Sequence, residues 1–557
     1  MKAVEARHWT WVVIAVFLVL QLPFLTGAIR IDETNILAIA QQIRHDPLRA
    51  YDFMINWQGM PERAFDILAN PPGIPYYLAA ITSLFGDAEV PLRLAMLPFS
   101  VVALWGAGLL ASAFGIPRFI GSLAVALSPG FFTAAPLAMP DIAMLAAFIV
   151  AIASTLRYVD HGSRRDLGMA MVAGFLAPLL KYNGILLIPI LGFVWLLTSR
   201  RSTGAMLAML APLAALVTWS AVSWLIYREI HFLAIMAFEG GAAPWMMTTS
   251  AFIYLGMSIV PLPGTLAPFR RRLWGVEGII TTGTVVVFLA VAYSLFYEGT
   301  EFVLAATAGA LGARIIPEVL LRTLPGEGDR IRRFLPLLWL VVAFFFVLRL
   351  NFNATRYMLP LLPVAGILLV GRTWSRSKAW TVIAAILAAV LAIAVARADA
   401  ASADIYRRVA RSEIPRLYAS GADRVFYAGH WGWQWYAGRQ GAIQIDAGKL
   451  PTWRPNDVLI VPKYAMAQIA VPRSREVAFK VREIGFLRPR AIQTIDQDTV
   501  ADLYSSSLTP FDRWTLLPFS WGDGVAERFR IYTARAVGPG GPPRGQPGLI
   551  MGSEGEP

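Results

Sequence analysis

Runs of about 18 apolar residues recur from Trp9 to Ala396, and they limit this chain more than any other feature in it. A stretch of that length with hardly a charge is stable across hydrocarbon as a helix, because a helix satisfies its own backbone. The spacing predicts helices over Trp9–Thr26, Val90–Phe114, Arg118–Ala134, Asp141–Tyr158, Leu167–Leu180, Gly184–Leu197 and Ala205–Ile226. It continues with Trp245–Pro261, Val276–Phe296, Glu301–Leu321, Phe334–Leu350, Tyr357–Val370 and Trp380–Ala396. Composition agrees: 57% of the 557 residues are hydrophobic and only 15% charged, where a soluble chain carries about a quarter. Residues 1–396 therefore read as an all-α polytopic membrane domain of about thirteen transmembrane helices.

The formal charge of +13 does not point to nucleic acid, because the basic residues stand in short clusters between apolar runs. Such clusters fall at Lys2 and Arg7, Arg118, Arg157 with Arg164 and Arg165, Arg200-Arg201, Arg270 to Arg272, Arg330 with Arg332 and Arg333, and Arg372 with Arg376 and Lys378. One parity places all of them in the cytoplasm, with the amino terminus, while Asp32, Glu33, Asp46, Asp52, Glu62, Asp66, Asp87 and Glu89 fall outside. The setting expected on this count, together with the resemblance given below, is the inner membrane of a bacterium. There is no cysteine, hence no disulfide framework, thiolate metal site or thiol nucleophile. The first apolar run lacks a small-residue cleavage pattern and is read as a retained helix.

Residues 28–89 form the first extracytoplasmic loop, far longer than an ordinary connection and so expected to be functional. It opens on Asp32-Glu33, followed by Ile36, Ile39, Ala40 and Ile43 at helical spacing until Pro47, the pattern of a helix lying in the membrane interface. Asn70-Pro71-Pro72-Gly73 then leads through Tyr76-Tyr77 into about a dozen apolar residues, too few to span and read as a juxtamembrane or re-entrant helix. From Arg397 the hydropathy falls and short β-rich runs appear at Arg424–Ala428, Val458–Pro462, Arg475–Val481, Ala491–Ile495 and Arg528–Thr533. Residues 397–536 are thus expected to be an extracytoplasmic soluble α/β or α+β domain, and 537–557, rich in glycine and proline, a disordered tail.

Asp32 and Glu33 diverge by about 100° on a helix and cannot share a proton. One carboxylate facing a cavity as general base, with the other orienting it or holding substrate, is the functional reading; a topology signal or an N-cap is the plain one. Asp141, in an outer connection on the same side, is equally suited to capping a helix or to bracketing an acceptor hydroxyl. Two such acids can also hold a divalent ion, so a metal at Asp32 and Asp141 stays open. Arg93, Lys181 and Arg356 stand at outer helix ends, where cations either snorkel or grip a lipid phosphate. Asn353-Ala354-Thr355 matches a glycosylation sequon, a pattern common by chance. Gly429 to Tyr436 packs four aromatics into a short stretch after a strand, fit for stacking on a sugar or for packing the domain on its neighbour. No HExxH, Walker A or G-x-S-x-G pattern occurs.

The Asp-Glu pair after the first span, Asn70-Pro71-Pro72 with Tyr76-Tyr77 ending at Leu84-Phe85-Gly86, and Pro91-Leu92-Arg93-Leu94 resemble the multi-spanning GT-C glycosyltransferases. Pro140-Asp141, Leu180-Lys181-Tyr182 with Gly184, and Arg356-Tyr357 with Pro360 are similar to later patterns of that superfamily. The likeness runs from about Trp9 to Gly371 and is strongest to protein O-mannosyltransferases and the lipid A aminoarabinose transferase. Where the latter has a lysine before its juxtamembrane proline, this chain has Asn70-Pro71, so a contact to a lipid A phosphate does not carry over. The resemblance implies transfer of a sugar from a polyprenyl-phosphate carrier to an extracytoplasmic lipid, protein or glycan. It implies Asp32 as base, Glu33 and Asp141 as acceptor-orienting groups, and Lys181, Arg356, Arg93 and Tyr357 as carrier-phosphate ligands. Asn70, Tyr76 and Tyr77 are then the juxtamembrane residues toward the acceptor. The competing readings are a secondary transporter or flippase of envelope precursors, weakened by acids lying in loops and by the lack of a repeat, and an envelope-binding module anchored by its spans.

Overall fold

The structure, a computed structural model, describes residues 2–198, 202–236, 244–261, 300–313, 315–323, 329–465, 477–496, 501–508, 513–514 and 517–536. The expected span Val276–Phe296, the clusters Arg200-Arg201 and Arg270 to Arg272, and the tail 537–557 lie outside the described residues.

The chain opens with α1 (Lys2–Gln21), then α2 (Glu33–His45) and α3 (Gly73–Phe85) in the first loop. The bundle follows as α4 (Glu89–Ala113), α5 (Arg118–Ala126), α6 (Pro129–Ala134), α7 (Pro140–His161), α8 (Arg164–Leu180), α9 (Leu187–Leu197) and α10 (Thr203–Tyr227). After these come α11 (Pro244–Tyr254), α12 (Thr300–Ala313), α13 (Arg330–Val347), α14 (Leu362–Arg376) and α15 (Lys378–Ala419). Among the described residues, six helical stretches are long and apolar enough to cross a membrane, among them α4, α7, α10 and α15.

Several expected spans are broken, each by an identifiable residue. The run Arg118–Ala134 divides at Ser128-Pro129, where the Ser128 hydroxyl accepts the Phe131 N–H at 3.4 Å and a new helix starts with proline in its first turn. The run Gly184–Leu197 begins as a 3₁₀ turn, Tyr182–Leu186, and Tyr357–Val370 as another, Thr355–Leu361. Helix α7 stops at Gly162, which takes the left-handed conformation (φ 65°), and Ser163 then caps α8 by accepting the Asp166 N–H.

The largest departure is α15. The fall in hydropathy at Arg397 lies inside one unbroken helix of 42 residues, so the apolar half runs directly into the C-terminal region with no linker. That region carries a five-stranded mixed sheet in the order β2-β1-β3-β5-β4, where β1 is Val425–Tyr427, β2 Ile443–Gln444, β3 Val458–Pro462, β4 Val477–Gln493 and β5 Ser520–Ala536. Strand β1 is parallel to β2 and β3, whereas β5 runs antiparallel to β3 and β4 with Ile531 opposite Ile460 and Arg528 opposite Gly485. The expected short strands Arg475–Val481 and Arg528–Thr533 extend to 17 residues each, because β4 and β5 pair with each other along their length, beyond the stretch of β5 that β3 covers.

One hydrophobic core joins the first loop to this sheet. Ile36, Ile39, Tyr51, Phe65 and Ile74 pack with Tyr406, Val409, Tyr427, Trp433, Ile460 and Ile531 in a single cluster. The aromatic stretch after β1 forms α16 (Trp431–Arg439), and it docks on the loop rather than standing free: the Ile29 N–H donates to the Tyr436 hydroxyl at 2.8 Å. Gly432 is required there, since a Cβ would lie 2.1 Å from the Ile29 carbonyl oxygen. Arg407 and Arg411 from α15 reach Glu89 at 3.2 and 3.4 Å, fastening the sheet region to the start of α4.

Candidate active site

The site is built where three chain segments meet: the turn before α2, the N-terminus of α7 with the C-terminal end of α8, and the turn Thr355–Leu361. Asp32 sits at the N-cap of α2 in helical conformation, yet its carboxylate caps nothing. Instead its Oδ2 accepts from Arg356 Nη2 at 2.6 Å, and its side chain keeps 26% of its surface exposed, against 9% for Arg356. Asp141, in the first turn of α7, is buried and accepts from Lys181 Nζ at 2.6 Å. Lys181 ends α8 in an extended conformation, which turns its ammonium back onto α7.

Tyr357 ties the two ion pairs together. Lys181 Nζ lies 4.7 Å from the centre of its ring and the Arg356 guanidinium carbon 5.0 Å from the same centre, distances at which the ring quadrupole attracts cations. Asp32, Asp141, Lys181, Arg356 and Tyr357 are therefore one cluster. A small cavity opens onto it, lined among others by Thr133, Asp141, Thr355, Arg356 and Tyr504. Thr133 Oγ1, Asp141 Oδ2 and Arg356 Nη1 are buried without a hydrogen-bond partner. An unmade hydrogen bond on a buried group costs about 1–3 kcal/mol, so three around one cavity mark a place prepared for a polar ligand.

Glu33 and Arg93 are placed differently from the expected roles. Both are fully buried and bonded to each other through two nitrogens. Glu33 Oε1 also accepts the Ala138 N–H at 2.6 Å, and Oε2 the Arg30 N–H at 2.9 Å. Arg93 spends its other donors on the carbonyls of Gly27, Ala28 and Pro136. With no exposed surface, neither offers an atom to a carrier or an acceptor. The pair clamps the Gly27–Asp32 segment against α4 and the α6–α7 connection, and so sets where Asp32 stands.

The juxtamembrane residues are not brought to the cluster. The Asn70 carbonyl accepts from the Tyr51 hydroxyl, the Tyr76 hydroxyl donates to the Pro47 carbonyl at 2.6 Å, and the Tyr77 hydroxyl to that of Ala95 at 2.8 Å. They hold α3, a helix of 13 residues, against α2 and α4. Its outer end leaves Leu84 and Phe85 mostly exposed.

Sequence reasoning passed over Arg30, Asp399 and Tyr504. Arg30 is buried and paired with Asp399 of α15, and the Tyr504 hydroxyl donates to the same Asp399 oxygen at 2.8 Å. Tyr504 belongs to a segment of the C-terminal region that lies along the Asn353–Thr355 backbone: Thr355 N–H donates to the Leu503 carbonyl at 3.0 Å and Ser506 N–H to that of Asn353 at 2.7 Å. Its ring stands 5.9 Å from the Arg356 guanidinium carbon. A charged Asp399 just beyond an apolar run was a readable signal; nothing local distinguished Tyr504.

Among the described residues no group of three or more His, Asp or Glu side chains comes together to hold a metal ion. The two acids considered as ligands are each bonded to a cation instead. A divalent ion would have to displace both, so the donor set fits metal binding poorly.

Fold and cluster together define a multi-spanning membrane protein with a charged cavity at one end of its helical bundle. Residues 69–227 match the family model described as dolichyl-phosphate-mannose-protein mannosyltransferase, so the chain is similar to membrane glycosyltransferases of the GT-C kind over the segment that holds Arg93, Asp141 and Lys181. Among solved structures, the chain is similar to ArnT from Cupriavidus metallidurans bound to undecaprenyl phosphate, at 15% identity and a TM-score of 0.46, covering 82% of this chain and 93% of that one. It is similar to the Archaeoglobus fulgidus oligosaccharyltransferase at 12% identity and a TM-score of 0.46, over 81% and 67% of the two chains. The arabinofuranosyltransferase AftD from Mycobacteria matches at 13% identity and a TM-score of 0.43, over 95% and 41%. No curated protein matches the sequence.

Proposed function

We propose that the chain transfers a sugar from a polyprenyl-phosphate carrier to a hydroxyl or amine of an extracytoplasmic acceptor, with inversion at the anomeric carbon. The family description of residues 69–227 names a polyprenyl-type phosphate sugar as donor, which supports that class here. Asp32 is the base: of the cluster's two acids it is the one with exposed surface, while Asp141 is sealed against Lys181. In the proposed step Asp32 takes the acceptor proton as the new glycosidic bond forms. The bond from the anomeric carbon to the phosphate oxygen breaks, and the electron pair leaves with the phosphate, which needs no proton.

The observation that carries this reading is the half-used guanidinium of Arg356. Nη2 is on Asp32 and Nη1 is buried and unpartnered, in a residue that lines the cavity. One group can thus orient the base and take a phosphate oxygen, the arrangement that stabilises the charge developing on the leaving group. Lys181, whose one hydrogen bond among the described residues goes to Asp141, has two further N–H donors for the same phosphate. The reading includes about thirteen crossings with a cytoplasmic amino terminus, the cluster and the sheet region on the outer side, and the inner membrane of a bacterium as its place.

The test is mass spectrometry of envelope lipids, glycans and proteins from cells with the chain, without it, and with an Asp32→Asn variant that still inserts. A glycosyl mass lost in the second and third samples is expected. Full modification by Asp32→Asn removes Asp32 from the base role, and no mass difference on deletion removes the reading altogether.

A further inference from the structure

Strands β4 and β5 run along the side of α15, and three contacts fix their level on it. Arg482 pairs with Glu413 at 2.6 Å, the Arg408 guanidinium carbon lies 5.7 Å from the centre of the Phe486 ring, and Arg488 donates to the Ser402 hydroxyl. Passing from Arg482 to Arg488 along β4 therefore moves back along α15 from Glu413 to Ser402, toward its apolar half. The descent continues past Arg488, since Ile492 packs with Ile31, Val395, Leu503, Tyr504 and Phe519. Val395 precedes Glu413 by 18 residues, about 27 Å at the helical rise.

Val395 stands at the end of the apolar half of α15, a helix that contains a stretch fit to cross a membrane. Below it Ile383, Ile386, Leu387 and Val390 are half or more exposed and follow one another at i, i+3, i+4 and i+7, a single stripe turned away from the protein. Such a stripe on a spanning helix faces lipid, and the exposed Arg397 marks where it stops.

Trp521 stands at that level. It is directly opposite Ile492 across the β4–β5 ladder, hence on the same face of the pair, yet it is 60% exposed. Arg490 and Asp523 are exposed beside it, where the register of the two strands shifts. A tryptophan ring, apolar with one N–H, suits the headgroup layer of a bilayer better than either water or hydrocarbon. Exposure by itself does not single it out, because Leu487 on β4 is 80% exposed. Level does: Leu487 lies between the residues that meet Arg408 and Ser402, well clear of the stripe.

We propose that the Trp521 end of the β4–β5 pair inserts into the headgroup layer of the leaflet on the side of the sheet region, its ring at the glycerol level and Arg490 reaching lipid phosphates. The occupant is lipid because the patch is continuous in level with the lipid-facing stripe of α15, and because it is one aromatic flanked by charges and not a broad apolar face. The sheet region is then held to the membrane at two points, α15 and this end, which meet in the cluster that contains Tyr504. The proposal rests on the apolar half of α15 crossing a membrane and is independent of sugar transfer.

The chain has no cysteine, so a single spin label can be placed without altering its background. The full chain carrying the label at Trp521→Cys, or at Leu487→Cys, is reconstituted in nanodiscs of phosphatidylethanolamine and phosphatidylglycerol. Collisions of the label with oxygen, which concentrates in the bilayer, and with a nickel chelate, which stays in water, are measured by power saturation. The oxygen-to-nickel ratio is expected to be severalfold higher at position 521 than at position 487. Equal ratios at the two positions put Trp521 in water and overturn the proposal. Few collisions with either reagent at position 521 show that protein covers it, which overturns the lipid as occupant. Should Trp521→Cys fail to insert, the label goes to Asp523→Cys, which keeps the tryptophan, and the same comparison with position 487 decides.

Discussion

Arg356 reaches Asp32 with one guanidinium nitrogen at 2.6 Å, leaves the other, Nη1, buried and unbonded, and lines a cavity together with Asp141. A single planar group thus faces two ways, which a lysine cannot reproduce. Arg356→Lys is expected to retain insertion and lose transfer by about 10²–10³-fold in kcat, the usual effect of removing one donor from developing charge. Kinetics on membranes supplied with a radiolabelled polyprenyl-phosphate sugar read this out. A lysine variant within a factor of about three of wild type would sink the dual role.

Lys181 and Asp141 are a buried pair, 7% and 2% exposed at their side chains. Truncating one partner leaves the other charged in a dry setting, at a cost of about 3–5 kcal/mol. Lys181→Met is therefore expected to lower both expression and thermal stability, and Lys181→Met/Asp141→Asn to recover stability without recovering transfer. A double variant that transfers sugar normally would make the pair purely structural.

Glu33 and Arg93 are expected to behave as a structural unit. Glu33→Gln leaves the Arg93 guanidinium unbalanced among carbonyls and should destabilise by about 3–5 kcal/mol. The effect on transfer in the protein that does fold should appear as a lower kcat through a displaced Asp32, with carrier KM unchanged. A double-mutant cycle between Glu33→Gln and Arg93→Gln measures the coupling. A coupling below about 0.5 kcal/mol would contradict the buried bidentate contact.

The contrast between these two pairs shows what could be read in advance. Apolar runs marked most of the bundle helices, and the first loop, with its short helices α2 and α3, was legible from helical spacing and from a run too short to span. The grouping of Asp32, Asp141, Lys181 and Arg356 followed from placing charges on one side of the membrane. Which acid meets which cation did not, because adjacent residues such as Asp32 and Glu33 point apart and only packing decides which is sealed. Breaks such as Ser128-Pro129 carried a turn signal that the surrounding hydropathy masked. The continuity of α15 through Arg397 was invisible for a plainer reason: alanine-rich and arginine-rich segments are both good helix formers, so a change of solvent leaves no mark on helicity.

In the sheet region, burial holds the Glu527 carboxyl up at about 7, its hydrogen bonds from the Tyr406 hydroxyl and from the backbone of Lys463, Tyr464 and Arg528 acting in the opposite sense. Burial likewise raises Asp502 to about 7. A carboxyl with a raised folded pKa contributes stability that is complete below its unfolded value of about 4 and is lost as pH rises through about 7. Stability is expected to be lower at pH 8.5 than at pH 5.5, by roughly 2 kcal/mol per group, read as a lower unfolding temperature. Glu527→Gln should flatten that slope. A stability that rises with pH over this window, or an unchanged slope in the variant, would refute the assignment.

Tyr504 brings the C-terminal region into the site itself. Its hydroxyl donates to Asp399, which pairs with Arg30 two residues before Asp32, while its ring faces Arg356. Asp502 shapes that turn by accepting the Tyr504 N–H at 2.7 Å. On the proposed function, the C-terminal segment that carries Tyr504 positions both Asp32 and Arg356. Tyr504→Phe keeps the ring beside Arg356 and removes the bond to Asp399; it should lower kcat severalfold and stability by about 1.5–3 kcal/mol, the net worth of a hydrogen bond to a charged group. Tyr504→Ala removes both contacts and opens the cavity wall, so it should lower kcat further and raise the carrier KM, with Asp32→Asn adding no further loss on top of it beyond its own. The decisive measurement is the split between the two kinetic constants in Tyr504→Phe and Tyr504→Ala: equal constants in both variants and wild type would place Tyr504, and the region that delivers it, outside the reaction.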